Sequence, residues 1–331
     1  MIVVRTPLRL SFVGGGSDLK AFYEKRDGMV VSSAIDKFVY VIVKERFDDK
    51  IYINYSQKEC VCHVAEIQHD LVREAMKITG VEKGVEITTL ADIPSKGSGL
   101  GSSSSVTVGL LHAFYTYQNV LVTAEQLAEE ACHIEIDLIG KPIGKQDQYA
   151  AACGGINQFI FHQDDTVEQI PVRLENHRLR RCSSSLLLYY TGMTRSADVI
   201  LSEQKKNFSE QAKFQVMSDM VSFVEPFKEA LERCDIRTCG RLLDQNWQLK
   251  QKMASGINND KIQAMYQTAK KAGALGGKIA GAGGGGFLLL LVPREKQNAV
   301  FGAMTGYREM PFMLERCGSK VIFDDRHYSS K

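Results

Sequence analysis

The chain has 331 residues, 44% hydrophobic and 24% charged, the balance of a soluble globular protein long enough for two domains. Its 41 basic against 39 acidic residues leave a net +2, which removes the charge argument for a nucleic-acid or anionic-membrane partner. The opening MIVVRTPLRLSF carries Arg5 and Arg9 and lacks the apolar core of a signal peptide, and the longest apolar run, 287–292, is too short to cross a bilayer. The expectation is a cytoplasmic protein whose eight cysteines stay reduced.

Of 28 glycines, eleven crowd into three stretches: 14–16, 97/99/101, and 281 with 283–286. Such clusters mark places where a ligand or second backbone comes close, or where φ turns positive. The first closes a strand-like run, Pro7-Leu-Arg-Leu-Ser-Phe-Val-Gly-Gly-Gly-Ser-Asp18. Arg9, inside an apolar β pattern, needs an anionic partner, either a carboxylate or a phosphate. Asp18 reads as the cap of a helix over 19–25, as an acceptor for sugar hydroxyls, or as both. Cys60, Cys62 and His63 have no second matching pair, so a short alternating strand is preferred to a zinc site.

Val85 to Leu90 alternates as a strand, and Val106, Leu110, Phe114 and Tyr117 recur at helical spacing. Between them, Pro94-Ser-Lys-Gly-Ser-Gly-Leu-Gly-Ser-Ser-Ser-Ser105 predicts a glycine-rich loop opening a helix whose first turn is serine. Free N–H groups and the positive helix end make that an anion site, with hydroxyls able to bond phosphate or a metal. No Gly-Lys-Ser/Thr ends the loop, and no His-Arg-Asp or Asp-Phe-Gly follows, which excludes a Walker loop and the protein-kinase set.

Thr123 and Gln126 predict a helix start, with Leu127, Ala131, Ile134 and Leu138 on one face and Glu135 at its edge. Asp147, in Gly144-Lys-Gln-Asp-Gln148, reads equally as a helix cap or as the group that takes a substrate hydroxyl's proton. Ser185 to Tyr190 predicts a strand. Val216, Met220, Val224, Phe227 and Leu231 predict one helix bent at Pro226. Gly281-Ala-Gly-Gly-Gly-Gly286 fits G-x-G-x-x-G but precedes a strand instead of opening a helix, so a dinucleotide fingerprint fails on context.

In this order and context the three motifs resemble those of the GHMP kinase superfamily, over essentially the whole chain. Gly97 to Ser105 is similar to its phosphate loop, and Glu135 to Gln148 to its metal-acid and catalytic-acid segment. Lys278 to Phe287 is similar to its C-terminal glycine motif. Within the superfamily, Pro7 to Asp18, Ser98 to Ser105 and Thr191-Gly-Met-Thr-Arg-Ser-Ala197 resemble the branch that acts on heptose 7-phosphates. Gly16-Ser17 stands where galactokinases carry an acidic-His pair, whereas fucose kinases have a similar first motif.

The resemblance implies an α/β (α+β) fold of two domains. An ATP-binding domain like the second domain of ribosomal protein S5 would cover 1–180, a ferredoxin-like domain 181–331, and the active site would lie between them. It implies ATP and Mg²⁺ as cofactors. Lys96, Gly97, Ser98, Gly99, Leu100, Gly101, Ser102, Ser103 and Ser104 would surround the nucleotide, with Ser103 and Glu135 on the metal. Asp147 would accept the proton of an anomeric sugar hydroxyl, with Arg9 against it. Asp18, Gly15, Gly16, Arg195, Gly283, Gly284 and Gly285 would meet the substrate. Arg195 would take its distal phosphate, and Lys96 and Lys145 are lesser candidates for that role.

The implied partners are ATP and a small sugar phosphate, with no nucleic acid and no membrane, in a monomer or homodimer. The superfamily also holds a mevalonate diphosphate decarboxylase and non-catalytic sugar sensors. The first motif speaks against the decarboxylase. The presence of Asp147, Arg9 and Glu135 together speaks against a sensor.

Overall fold

The computed structural model describes residues 1–93, 97–194 and 197–326. Alternating and β-branched stretches of the first half form β1 (Ile2–Val13), β2 (Gly28–Glu45), β3 (Ile51–Asn54), β4 (Lys58–Val61), β5 (Val85–Ala91), β6 (Ile156–Phe161) and β7 (Val167–Pro171). At 18 residues β2 is long enough to serve three neighbours. It pairs antiparallel with β1 along its length, with β6 over Gly28 to Ser33 and with β5 over Val39 to Glu45. Register shifts in the β1–β2 ladder, after Pro7 and after Ser11, re-aim the end of β1 where Arg9 and the first glycine turn lie.

A second, antiparallel sheet joins β8 (Leu186–Tyr190), β9 (Gly276–Ile279) and β10 (Phe287–Leu291) in the order β8-β10-β9. The last strand, β11 (Lys320–Asp324), then returns to pair with β1, completing an eight-stranded first sheet. The chain therefore crosses from first sheet to second between β7 and β8, and crosses back before its end.

Two apolar clusters form the core, one around Leu8, Leu10, Phe114 and Phe159, the other around Trp247, Tyr266, Met217 and Leu290. The second sheet contributes to both, Leu188 and Leu289 to the first and Leu187 and Leu290 to the second. Leu19 and Phe22, from the first half of the chain, are buried in the second cluster. That burial draws the Gly14–Asp18 turn across the seam between the two halves.

Two helix expectations change. The helix expected over 19–25 is a single turn, Lys20–Tyr23, with Leu19 at its N-cap, so Asp18 does not cap it. The helix expected to bend at Pro226 is two helices, Gln211–Val221 and Val224–Glu232. Pro226 falls in the first turn of the second, where a missing N–H leaves no helical bond unmade.

Candidate active site

The glycine-rich loop passes Gly97, Gly99 and Gly101, all at φ between +72° and +75°, into the helix Ser102–Tyr117. No side chain caps that helix at Gly101, and its first internal bond runs from Ser105 N to Gly101 O at 3.0 Å. The N–H groups of Ser102, Ser103 and Ser104 thus lack helical partners and sit at the positive end of a sixteen-residue helix. The hydroxyls of Ser102 and Ser104 are buried without a partner, while Ser103 is exposed. All three border a cleft of about 640 Å³ between the two halves. Leu100 is different. It is fully buried under the loop, and its carbonyl accepts the Arg9 N–H at 3.0 Å.

The C-terminal glycines are packing residues for this loop. A Cβ on Gly99 would lie 2.3 Å from the Ala280 carbonyl oxygen, and one on Gly286 would lie 2.5 Å from that of Ser98. Gly281 and Ala282 border the cleft. Gly283, Gly284 and Gly285, expected at the substrate, instead pack on the Ile257 and Met193 backbone; the Gly284 N–H donates to Ile257 O at 2.8 Å. They set the path of the segment that carries Gly281.

On the floor of the cleft Arg9 is buried and meets Asp147 in a fork. Nε donates to Oδ1 and Nη2 to Oδ2, both at 2.6 Å. Its third nitrogen, Nη1, donates to the Gly99 carbonyl at 2.6 Å, so one side chain ties the acid to the phosphate loop. Asp147 lies in the first turn of the helix Gln146–Cys153, whose N-cap is Lys145, and its side chain borders the cleft. Gln146 fixes the neighbours: its Oε1 accepts from Ser11 at 2.9 Å and its Nε2 donates to Asp147 at 3.3 Å.

Asp18 borders the same cleft, accepting from Gly16 N at 2.9 Å and Gln146 N at 3.3 Å. Burial raises its pKa above the ordinary aspartate value, and the charge of Asp147 adds to that. Gly15 and Gly16 border the cleft beside it.

Glu135 does not reach the cleft. The helix Ala124–Cys132 runs on as a π-helical stretch, His133–Leu138, whose wider turn rotates Glu135 from the edge of the apolar stripe into the interior, at 0% exposure. Its carboxylate accepts from Lys141 Nζ at 2.9 Å and from Gln148 Nε2 at 2.8 Å. Lys141, which does border the cleft, is the group that holds the Glu135 carboxylate. Serine hydroxyls and a carboxylate that already draws in a cation form a hard-oxygen donor set that fits Mg²⁺.

Among the cations named from sequence, Lys96 and Arg195 lie outside the described residues. Lys145 turns away from the cleft and binds Asp165 at 2.7 Å. Two lysines the sequence reading passed over stand at the substrate end instead. Lys250, 3% exposed, borders the cleft and donates to Gly15 O at 2.9 Å and Gln204 Oε1 at 3.0 Å; Lys278 is 1% exposed. The signal for Lys250 was available, since it continues the buried face of Cys239, Leu243 and Trp247 at helical spacing, where a lysine has no packing reason to be. Lys278 stands at the start of the C-terminal glycine motif.

These features suit phosphoryl transfer, and comparison with known proteins identifies the family. Residues 61–155 match the GHMP kinases N terminal domain and residues 227–307 the GHMP kinases C terminal domain. The chain belongs to the GHMP kinase family, adopts that family's two-domain fold, and is a small-molecule kinase with an alcohol acceptor and ATP as donor.

More particularly, it is 31% identical over 312 residues to D-glycero-alpha-D-manno-heptose 7-phosphate kinase of Campylobacter jejuni, covering 90% of this chain and 92% of that one. The crystal structure of a D-glycero-D-manno-heptose 1-phosphate kinase from Bacteriodes thetaiotaomicron superposes with a TM-score of 0.82 at 26% identity, over 99% of this chain and 100% of that one. The L-fucokinase/L-fucose-1-P guanylyltransferase of Bacteroides fragilis is 27% identical over 339 residues, which are 89% of this chain and 35% of that protein. Among the described residues no helix is long and apolar enough to cross a membrane.

Proposed function

We propose that the protein transfers the γ-phosphoryl group of ATP to the anomeric C1 hydroxyl of D-glycero-D-manno-heptose 7-phosphate, giving the 1,7-bisphosphate. The observation that carries the reading is the Arg9–Asp147 fork at 2.6 Å, tied through Gly99 to the loop whose unpartnered serines open the helix. The Campylobacter relative's name supplies the acceptor.

In this reading Asp147 accepts the C1 hydroxyl proton, that oxygen bonds to the γ-phosphorus, and the bond from γ-phosphorus to the β–γ bridging oxygen breaks to release ADP. Phosphoryl transfer asks for positioning and charge neutralisation more than covalent help. Arg9 supplies both, orienting Asp147 and presenting positive charge beside the transferring group. Asp18, held by two backbone N–H groups, accepts from sugar hydroxyls. The N–H groups of Ser102 to Ser104 receive the triphosphate.

Mg²⁺ would be held at the cleft by Ser103, with Glu135 joining only if its carboxylate leaves Lys141 and Gln148 and turns toward the cleft, and would neutralise charge on the phosphates. The two domains divide near residue 180, with β11 returned to the first.

The acceptor is tested by a screen with Mg-ATP against D-glycero-D-manno-heptose 7-phosphate, L-fucose, galactose and mannose, measuring ADP release. Turnover with the heptose 7-phosphate at least about 100-fold above the others supports the reading. Transfer to fucose alone, as the Bacteroides fragilis relative's name suggests, keeps the kinase and overturns the acceptor.

A further inference from the structure

We propose that Lys250 and Lys278 form the subsite for a phosphomonoester carried by the acceptor, Lys250 by contact and Lys278 by its charge from beneath Gly15. This deepens the proposed function and rests on it.

The argument is one of unanswered donors. Arg9 is satisfied by Asp147, which leaves two ammonium groups around the Gly14–Asp18 turn. Lys250 donates only to uncharged acceptors, the Gly15 carbonyl and the Gln204 amide. The Lys278 ammonium makes no hydrogen bond or ion pair among the described residues, although the residue is 1% exposed. The ammoniums flank successive glycines: a Cβ on Gly15 would lie 3.9 Å from Lys278 Nζ, and one on Gly16 would lie 3.0 Å from Lys250 Nζ. Among the described residues Asp18 is the carboxylate that acts on both, too little to hold both lysines fully protonated near neutral pH, whereas a bound anion would draw both into the charged form.

Neutral donors are left over around the same turn. Gln204 and Asn246 turn their acceptor ends to Lys250 and to Gly14 N, and their buried Nε2 and Nδ2 groups have no acceptor. A buried unpaired ammonium and two buried amide donors are each costly, and a fold keeps such groups together where a ligand completes them.

A neutral sugar ring would offer the two lysines no counter-charge. A dianionic group with three outer oxygens answers both the charge and the amides. The phosphates of ATP are served at the other wall, by the serine helix. Burial lowers the pKa of Lys250 to about 8 and that of Lys278 to about 7, the latter also through Lys250 and Arg9, as befits cations that lack a counter-ion.

The test is calorimetric binding without ATP of D-glycero-D-manno-heptose 7-phosphate, the phosphate-free heptose and inorganic phosphate, to the wild type and to Lys250→Met, Lys278→Met and Lys278→Arg. Steady-state KM values for both sugars accompany it. Lys250→Met should weaken the phosphosugar and inorganic phosphate by about 100-fold, the worth of a charged hydrogen bond in a dry site. Lys278→Met should weaken them about tenfold, with Lys278→Arg recovering most of the loss. The KM for the phosphate-free heptose should stay within twofold of wild type. Lys278→Met should melt no lower than wild type, whereas Lys250→Met leaves the Gly15 and Gln204 acceptors unmet and should melt somewhat lower while still folding.

Equal losses on both sugars, or no loss on the phosphosugar, overturn the subsite and leave the kinase reading intact. A wild type that phosphorylates an unphosphorylated sugar but does not bind the heptose 7-phosphate overturns the proposed acceptor, and the subsite with it.

Discussion

The two walls of the cleft are built differently. One is backbone: a loop with three glycines at positive φ and the first turn of one helix, all within residues 97–104. The other is side chain: Lys250 from the helix Ile236–Lys250 at the cleft, backed by buried Lys278 from β9 and Gln204 from the helix Ala197–Asn207 around the Gly14–Asp18 turn. Backbone donors can receive phosphates whatever side chains surround them. Side chains drawn from separate segments can be exchanged one at a time, so in the proposed reading the choice of acceptor belongs to the second wall.

Removing the acid between the walls is the most severe break. Asp147→Asn removes the proton acceptor, and kcat should fall by about 10²- to 10⁴-fold, while the melting temperature also drops because buried Arg9 loses its anion. A fall below tenfold would take the proton-accepting role from Asp147.

The backbone wall is probed by Gly99→Ala, whose Cβ would enter the Ala280 carbonyl at 2.3 Å while φ stays at +74°. The KM for ATP should rise by at least about tenfold, and stability should fall by about 2–3 kcal/mol from strain and overlap. Gly140→Ala separates the two causes. Its φ is +76° but nothing lies within 4 Å, so it should lose only about 1 kcal/mol and leave the KM for ATP alone.

The side-chain wall has a pH signature. Lys250 and Lys278 titrate near 8 and 7 in the folded protein, against about 10.5 for an ordinary lysine. Between those values the unfolded chain holds more protons than the folded one. Stability is then full above about pH 10.5 and is lost as pH falls to each folded value, by at most about 1.4 kcal/mol per pH unit for each lysine. Urea melts across pH 7.5 to 9.5 should show stability rising with pH, and Lys278→Met should flatten that rise by about half. A wild-type profile level over that range would mean that both ammoniums are already compensated.

The smallest effect marks the edge of the site. Lys145→Ala removes a cation that binds Asp165 rather than the cleft, and kcat/KM should stay within about twofold of wild type. A tenfold loss would bring Lys145 back to the substrate.

The same contrast explains what could be read from the sequence. The strand, loop and serine-led helix of residues 85–117 are local, each specified by its own periodicity and glycines, and they formed where expected. Arg9 announced its need for an anion by standing in an apolar strand, and the Asp147 fork is that anion.

Non-local features were not legible. The π turn that buries Glu135 adds no residue pattern of its own, and the packing of Gly283 to Gly285 on Ile257 and Met193 joins segments far apart in sequence. The return of β11 to β1 spans almost the whole chain. Lys250 was readable in principle, because a lysine that continues the face of Leu243 and Trp247 must have a use.

The position of the new phosphate tests the central claim most directly. Product made from the heptose 7-phosphate with Mg-ATP is examined by ³¹P–¹H correlation NMR. A second phosphorus coupled to the anomeric proton, beside the retained one coupled to the C7 protons, is the result predicted. A new phosphorus coupled to any other ring proton, with H1 uncoupled, would contradict it and remove the anomeric hydroxyl from Asp147.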